Sequence, residues 1–335
     1  MIFYFFASLF TWAALATTKP QPLRVYTYDS LAGRSTLGEY LSQRFLQQTG
    51  VEIQFVSFGT AGEALNQVFL EGTQTTADVL LGIDEVLYQK VKDKGLFERL
   101  GDDTFASLEP SLRQKGDSTF VPFDYGFLAF LYDSERTRVT NSIQLKDFVK
   151  GFEKSKKVVI QDPRTSTLGV EFLVWTHEKL GDGFEQFWRS LAPQILTISP
   201  GWSGAYELFI KKQADFVLSY TTSPAYHRIK ENKHNIKPVF FTDGHFRQVE
   251  GALILNRSKQ KKLGEQFVKL LLSKEAQEQV ATFQWMYPAR AEVRLPKEFK
   301  EIPIPKKVVV DWNRVAALKE NWLKKWTLMM SQVQK

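Results

Sequence analysis

Two threonines set the first constraint on this chain. Thr36 and Thr60 each stand three residues before a glutamate, Glu39 and Glu63, and each comes after an extended apolar run, residues 23–28 and 51–56. A threonine followed three residues later by glutamate is a helix-start signal, because the two side chains can satisfy backbone N–H groups that a first turn leaves unpaired. Behind Thr36, Leu37, Tyr40, Leu41 and Phe45 recur at helical spacing, and Gly50 supplies the stop. The second helix ends near Gly72, and a third apolar run, residues 77–83, closes in Gly82-Ile83-Asp84. Strand, helix, strand, helix, strand in that order calls for a parallel sheet with helical crossovers.

A longer extended run follows at residues 119–132 and is interrupted by Pro122-Phe123-Asp124-Tyr125-Gly126. A long strand with a proline and a glycine at its centre suits a hinge between two lobes. A second strand-and-helix set begins at residues 158–161 and leads through Asp162-Pro163-Arg164-Thr165-Ser166-Thr167 into a helix over 168–180. Ser203 or Gly204 opens a further helix, 216–220 is a strand, and 248–256 is a second long strand that returns across the hinge. Helices are expected over 262–272 and 276–283. The tail carries Val315, Leu318, Trp322, Trp326 and Met329 at helical spacing, a core-packing stripe. The expected architecture is α/β, two lobes joined by two long crossing strands. One lobe holds residues 21–123 plus 247–335, and the other holds 124–246.

Residues 1–16 are treated apart. They are apolar after Met1, too short for a comfortable membrane span, and end in Ala14-Leu15-Ala16, a small-x-small cleavage pattern. They are expected to be a secretory signal peptide, although the segment has no Lys or Arg. The net charge of +7 comes from 44 basic residues scattered among 37 acids, so no basic stripe points to nucleic acid. With no cysteine, zinc-finger, thiol-catalysis and disulfide readings fail together. His177, His227, His234 and His245 lack metal-ligand spacing. No nucleophile elbow, phosphate-binding Walker loop or dinucleotide fingerprint occurs. The chain is expected to hold a small molecule rather than transform it.

The holding groups are concentrated where strands end and helices begin. In Asp215-Phe216-Val217-Leu218-Ser219-Tyr220-Thr221-Thr222-Ser223-Pro224-Ala225-Tyr226-His227 an apolar run gives way abruptly to hydroxyls and tyrosines, the kind of strand end at which open α/β sheets bind ligands. Thr60, Ser166 or Thr167, and Ser203 sit at helix starts, whose N–H groups suit anions. The simpler alternative is that each hydroxyl caps its own helix. Trp202, in Pro200-Gly201-Trp202-Ser203-Gly204, and Trp285, in Gln284-Trp285-Met286-Tyr287-Pro288, stand in turns, where an indole either covers a flat cation or plugs the core. Asp162 and Arg164 are most simply a local pair. Asp29, Asp84 and Asp124 lie at strand ends or the hinge, where turn capping is the common role.

Several segments in this order carry a resemblance. They are Val25-Tyr26-Thr27-Tyr28-Asp29-Ser30, Phe120-Val121-Pro122-Phe123-Asp124-Tyr125-Gly126, Gln161-Asp162-Pro163-Arg164-Thr165-Ser166-Thr167, Gly201-Trp202-Ser203, residues 218–226 and Trp285-Met286-Tyr287-Pro288. Together, from about residue 23 to the tail helix, the chain resembles the thiamine-binding solute receptors of bacterial ABC importers. The resemblance implies a two-lobed periplasmic-binding fold of the second type. It implies a monomer outside the cytoplasmic membrane that captures thiamine or its mono- or diphosphate. A membrane permease and its ATPase then receive the ligand, with no cofactor and no metal. The implied ligand contacts are Tyr28 and Ser166 at the phosphate or hydroxyethyl end, Thr167 beside them, and Trp202 next to the thiazolium. Tyr220, Thr221, Thr222 and Ser223 form the strand-end segment, and Tyr226 and Trp285 are ring walls. Two departures are visible. Thr60 and Ala61 stand where the family has an Asp-Gly pair, so backbone donors can survive but the carboxylate cannot. Arg34-Ser35 stands where the family can have Asp-Trp, which removes an aromatic and reverses a charge. The competing expectations are the same fold binding ferric iron or a polyamine, and an enzyme of thiamine metabolism. The last would need a nucleophile, typically the cysteine this chain lacks.

Overall fold

The computed structural model describes residues 20–114, 116–140, 143–151 and 153–333. The expected signal peptide at 1–16 lies outside them. The strands are β1 (Leu23–Tyr28), β2 (Ile53–Phe58), β3 (Val79–Asp84), β4 (Val121–Asp133), β5 (Val158–Gln161), β6 (Ile195–Ser199), β7 (Phe216–Tyr220), β8 (Ile236–Pro238), β9 (Arg247–Ile254) and the two-residue β10 (Tyr287–Pro288). The longer helices are α1 (Leu37–Thr49), α2 (Ala61–Glu71), α3 (Thr167–Leu180), α4 (Phe184–Leu191), α5 (Trp202–Ile210), α6 (Pro224–Glu231), α7 (Lys261–Leu271), α8 (Lys274–Phe283) and α9 (Trp312–Val333).

The helix starts form as the sequence predicts. Thr36 and Thr60 accept from the backbone N–H of Glu39 and Glu63 at 3.4 and 3.1 Å. The glutamates reach back to the N–H of Ser35 and Gly59, one residue earlier than the ideal reciprocal box. β1 pairs in parallel with β2 and with β3. β3 is buried along its whole length, as a central strand covered on both faces must be.

The sheet runs β2-β1-β3-β9-β4-β7-β5-β6, and it is mixed rather than wholly parallel. β9 runs antiparallel to both β3 and β4. β4 is the joint: residues 121–127 pair with β9, while residues 128–132 pair with β7. Its first part belongs to a core that includes Leu80, Phe123 and Val249, and its second part belongs to a core that includes Phe130, Phe172 and Trp188. The change of partner falls between Phe127 and Leu128, just after the Pro122–Gly126 interruption.

The stretch after β9 contributes to both cores. The strand and helices from Val249 up to about Ala289 join the first core. Val315, Trp322, Trp326, Met329 and Met330 instead pack into the second core. Helical spacing identifies an apolar stripe but not which core has the gap it fills. Trp326 packs edge-on against Trp188 at 5.6 Å, and His177 is stacked between Phe184 and Trp322, 4.1 Å from each. β6, α4 and α6 also form where the sequence reading placed no element.

Candidate functional site

A cavity of about 420 Å³ opens between the two cores, within the size range of small-molecule sites. Its lining comes from strand ends and helix starts: Tyr28 at the end of β1, Thr60-Ala61 at the start of α2, Ser166-Thr167 at the start of α3, Trp202-Ser203 at the start of α5, Tyr220 at the end of β7, and Trp285 after α8. The two rims approach closely. A Cβ on Gly201 would lie 3.7 Å from Thr60 Cγ2 and 3.8 Å from the Gly59 carbonyl oxygen, so the α2 loop and the α5 loop meet in ordinary van der Waals contact.

The helix starts are not equivalent. Thr60 spends its hydroxyl on Glu63 N–H, so there the simple capping reading holds. Ser166 precedes α3, and Gly201 precedes α5, without a side-chain cap. The first-turn N–H groups of those two helices therefore keep their hydrogen-bonding capacity for something in the cavity. Asp162 and Arg164 pair with each other at 2.6 Å, as the simpler expectation had it.

The rings are held in fixed orientations. Trp202 stacks on Tyr206 at 4.6 Å and 27°, and its indole N–H donates to Ser219 Oγ at 2.9 Å. Ser219 Oγ in turn bonds Ser223 Oγ at 2.9 Å. Behind the stack, Tyr206 Oη lies 2.8 Å from His227 Nε2, and His227 Nδ1 lies 2.9 Å from Glu231 Oε2. Trp202 is the first residue of α5 rather than a residue of an irregular turn. Tyr226 meets Trp285 edge to face at 5.2 Å. Trp285 has φ of +59°, a left-handed conformation that a bulky side chain rarely adopts and that concentrates at ligand sites.

The floor is polar and acidic. Gln284 Nε2 donates to Tyr28 Oη at 2.7 Å, and Tyr28 donates to Glu250 Oε2 at 2.6 Å. Gln248 Nε2 donates to Glu250 Oε1 at 3.1 Å, and Tyr220 donates to Gln248 Oε1 at 2.5 Å. This relay runs from the end of β1 to the end of β7 through two residues of the crossing strand β9. Close backbone approach makes room for it. Gly82 has φ of +87°, and a Cβ there would sit 2.3 Å from the Tyr28 ring. A Cβ at Gly126 would meet Met286 at 2.7 Å and Tyr220 at 3.0 Å. Burial raises the Tyr28 hydroxyl well above its ordinary pKa, with Glu250 adding to the shift. Burial also pushes the Glu250 carboxyl up to about 8, opposed by the Tyr28 hydrogen bond and reinforced by Asp84. Asp84 is pushed up to about 6, and Asp124 and Glu171 are raised, each chiefly by burial.

Ten of the residues expected from sequence line this cavity: Tyr28, Thr60, Ala61, Ser166, Thr167, Trp202, Tyr220, Ser223, Tyr226 and Trp285. Thr221 and Thr222 do not. Both are fully buried; Thr221 N–H bonds Phe127 O, and Thr222 O accepts from Ala225 N–H as the chain turns into α6. The segment is a strand, a tight turn and a helix, so only some of its hydroxyls face the cavity. Arg34 is exposed and outside the lining, so it has no direct part in the wall. Sequence reasoning missed Glu250, Gln284 and Tyr206, all of which line the cavity. Glu250 left a signal: it is a lone acid between Val249 and the apolar run Ala252-Leu253-Ile254 of a strand already read as crossing the hinge.

Among the described residues no group of His, Cys, Asp and Glu side chains has the arrangement to hold a metal ion, and no helix is long and apolar enough to cross a membrane. A family model of bacterial extracellular solute-binding proteins matches residues 41–306. The thiamine-binding periplasmic protein of Salmonella typhimurium is 39% identical over 321 residues, which is 96% of this chain and 96% of that protein. The solved structure of a periplasmic thiamin binding protein superimposes with a TM-score of 0.86 at 35% identity, covering 93% of this chain and 99% of the other. An apo ferric ion-binding protein A from Pasteurella haemolytica superimposes with a TM-score of 0.77 at 16% identity, over 94% of this chain and 98% of the other, which speaks to the fold alone. The chain belongs to the bacterial extracellular solute-binding protein family.

Proposed function

We propose, from that membership and the cavity, that this protein captures thiamine or its mono- or diphosphate outside the cytoplasmic membrane and passes it to an ABC importer. One observation carries the reading: fixed aromatic rings and two helix starts without side-chain caps line the same cavity. Thiamine joins a flat aminopyrimidine to a permanently cationic thiazolium, and its esters add phosphate. Indole and phenol faces attract flat cations by about 0.5–2 kcal/mol each. Helix starts attract phosphate through unpaired N–H groups and the helix dipole. Related thiamine-binding periplasmic proteins over nearly the whole chain support the same ligand.

In this reading Trp202, Tyr226 and Trp285 flank the rings, and Ser166, Thr167 and the backbone at Thr60-Ala61 hold the hydroxyethyl or phosphate end. Tyr28, Tyr220 and Ser223 complete the wall. The two cores are the lobes of a clamshell of the second periplasmic-binding type, and β4 and β9 are the crossing strands on which it opens and closes. The protein is a periplasmic monomer released by cleavage of residues 1–16, and a membrane permease with its ATPase takes the ligand from it. It binds and releases rather than reacts.

Mass spectrometry of small molecules released from the natively purified protein tests the ligand. Thiamine or one of its phosphates is the expected mass, and titration with each of the three compounds should quench tryptophan emission saturably. A purified protein that releases none of them and binds none in titration overturns the proposal. A scattering profile unchanged by saturating ligand overturns the closing motion while leaving the ligand in place.

A further inference from the structure

We propose that Glu250 is the counter-charge for the cationic ligand and that it gives up a proton to solvent as that ligand enters, so that capture of the cation is coupled to proton release. The proposal rests on the reading that the ligand is a thiamine-type cation.

Glu250 is placed for this role by the sheet. Asp84 on β3, Glu250 on β9 and Asp124 on β4 are paired in register across three neighbouring strands. Residues directly opposite in adjacent strands share a face, with Cβ atoms about 4.5–5.5 Å apart. Three carboxyl groups therefore stand side by side where the strands cross between the cores. Three such groups cannot all be ionised out of water, because each charge penalises the next. Asp124 is fully buried, and neither of its oxygens has a hydrogen-bond partner. Glu171, from α3, is likewise fully buried with both oxygens unpartnered. Asp84 spends one oxygen on the N–H of Leu87, capping the short helix Glu85–Gln89.

Glu250 differs from its neighbours in two ways. It is a member of the row that lines the cavity, with 6% of its surface exposed. Both of its oxygens also accept hydrogen bonds, from Tyr28 and from Gln248, and both donors are uncharged. The site can therefore orient a carboxylate but supplies no positive charge through those bonds. The groups that face it are Tyr28 from β1, Asp84 from β3, Asp124 from β4, Tyr220 from β7, Gln248 from β9, Glu171 from α3 and Gln284 after α8. Lys319 of the tail helix acts on Asp84, and Arg247 acts on Glu85.

Without ligand, burial favours the neutral carboxyl, whose O–H then donates to Tyr28 Oη along the 2.6 Å contact, with the bond reversing when the carboxyl ionises. A permanent cation in the cavity favours the ionised one. On binding, the carboxyl O–H bond breaks, the electron pair stays on the carboxylate, and the proton leaves for bulk water. Asp124 and Glu171 stay neutral behind it. The sign follows from linkage: a ligand that prefers the ionised form binds more tightly as pH rises, until the empty site is ionised as well.

Calorimetry of the full chain with thiamine, in buffers of different ionisation enthalpy at about pH 7, counts the protons. Thiamine is the probe because a phosphate ester ionises with a pKa near 6, inside the window of interest. About one proton is expected to leave per thiamine bound by the wild type. Affinity should rise by up to about tenfold per pH unit below the raised empty-site pKa and level off above it. Glu250→Gln keeps the shape and should abolish proton release and flatten the pH profile. Its melting curve and near-ultraviolet spectrum show that it is folded. Asp124→Asn should retain the proton release. Thiamine binding by the wild type with no proton release and no pH dependence overturns the proposal and leaves the thiamine reading standing. Proton release that survives in Glu250→Gln, or disappears in Asp124→Asn, assigns the proton elsewhere and overturns it as well. Failure of the wild type to bind thiamine at any pH overturns both.

Discussion

The ring wall and the floor of the cavity are held by different means. On the ring wall Trp202, Tyr206, His227 and Glu231 form a chain of stacking and hydrogen bonds, so each ring has one orientation set by the next. On the floor Tyr28, Glu250, Gln248 and Tyr220 form a relay across β9, beside carboxyl groups that burial keeps near neutrality. The ring wall is rigid by packing and selects shape. The floor stores an electrostatic cost, and in the proposed function a cation offsets it, so the floor selects charge. It also joins the end of β1 to the end of β7 through β9.

The sharpest break of this comparison is a pH titration of the empty protein. Asp84, Asp124, Glu171 and Glu250 have raised pKa values when folded, so these four groups bind more protons in the folded state than in the unfolded chain between about pH 4 and about 8, while His177 and His245, which burial pushes down to about 4, bind fewer below about pH 6.5. The stability those four carboxyl groups contribute then falls as pH rises through that window, by about 3 kcal/mol for Asp84 alone. Denaturant melts at several pH values measure this, and a profile flat above about pH 6.5, where both histidines are neutral folded or unfolded, would mean that the floor stores no such cost. Next in size is Gly82→Ala. It adds a Cβ at positive φ against the Tyr28 ring and should cost about 2–3 kcal/mol of stability, read from urea melts.

Trp202→Ala probes the opposite wall. It should lower stability through the lost stack on Tyr206 and bond to Ser219, and weaken thiamine binding by about 1–2 kcal/mol through lost stacking and cation–π attraction. Unchanged affinity would make Trp202 a packing residue of α5 only. Ser166→Ala should cost thiamine diphosphate about 1 kcal/mol while sparing thiamine if the hydroxyl holds phosphate; equal losses would place it at the hydroxyethyl end. The smallest effect is expected from Tyr206→Phe, which keeps the stack and removes the bond to His227. A loss of about 0.5 kcal/mol in thiamine affinity, measured by calorimetry, fits a positioning role.

Much of the fold was legible because its signals are local. Capping threonines, glycine stops and apolar periodicity located β1, α1, α2, β3, β5, α3, β7 and β9 to within about two residues. The short edge strand β6 escaped because Ile195-Leu196-Thr197-Ile198-Ser199 is half exposed and lacks strong alternation. α6 escaped because Thr221-Thr222-Ser223-Pro224 reads as a turn, and the proline that suggests an irregular stretch in fact occupies the first position of the helix.

The resemblance and the strand-end pattern led to ten lining residues, but they also drew in Thr221 and Thr222, whose directions depend on the turn into α6. Glu250 and Gln284 could not be joined to Tyr28 by any local rule, since they lie 222 and 256 residues away from it in sequence.

The amino-acid sequence alone determined that alternating strands and helices would build an α/β protein with two long crossing strands, and that rings and helix starts would gather at strand ends. Periodicity and capping act over a few residues, so they can be read from the chain. Only the tertiary structure decided that the tail helix serves the second core, that Thr221 and Thr222 turn away from the cavity, and that three acids meet in register beneath it. Those outcomes depend on which strand lies beside which, and pairing between β3, β9 and β4 is a long-range choice that no short segment encodes.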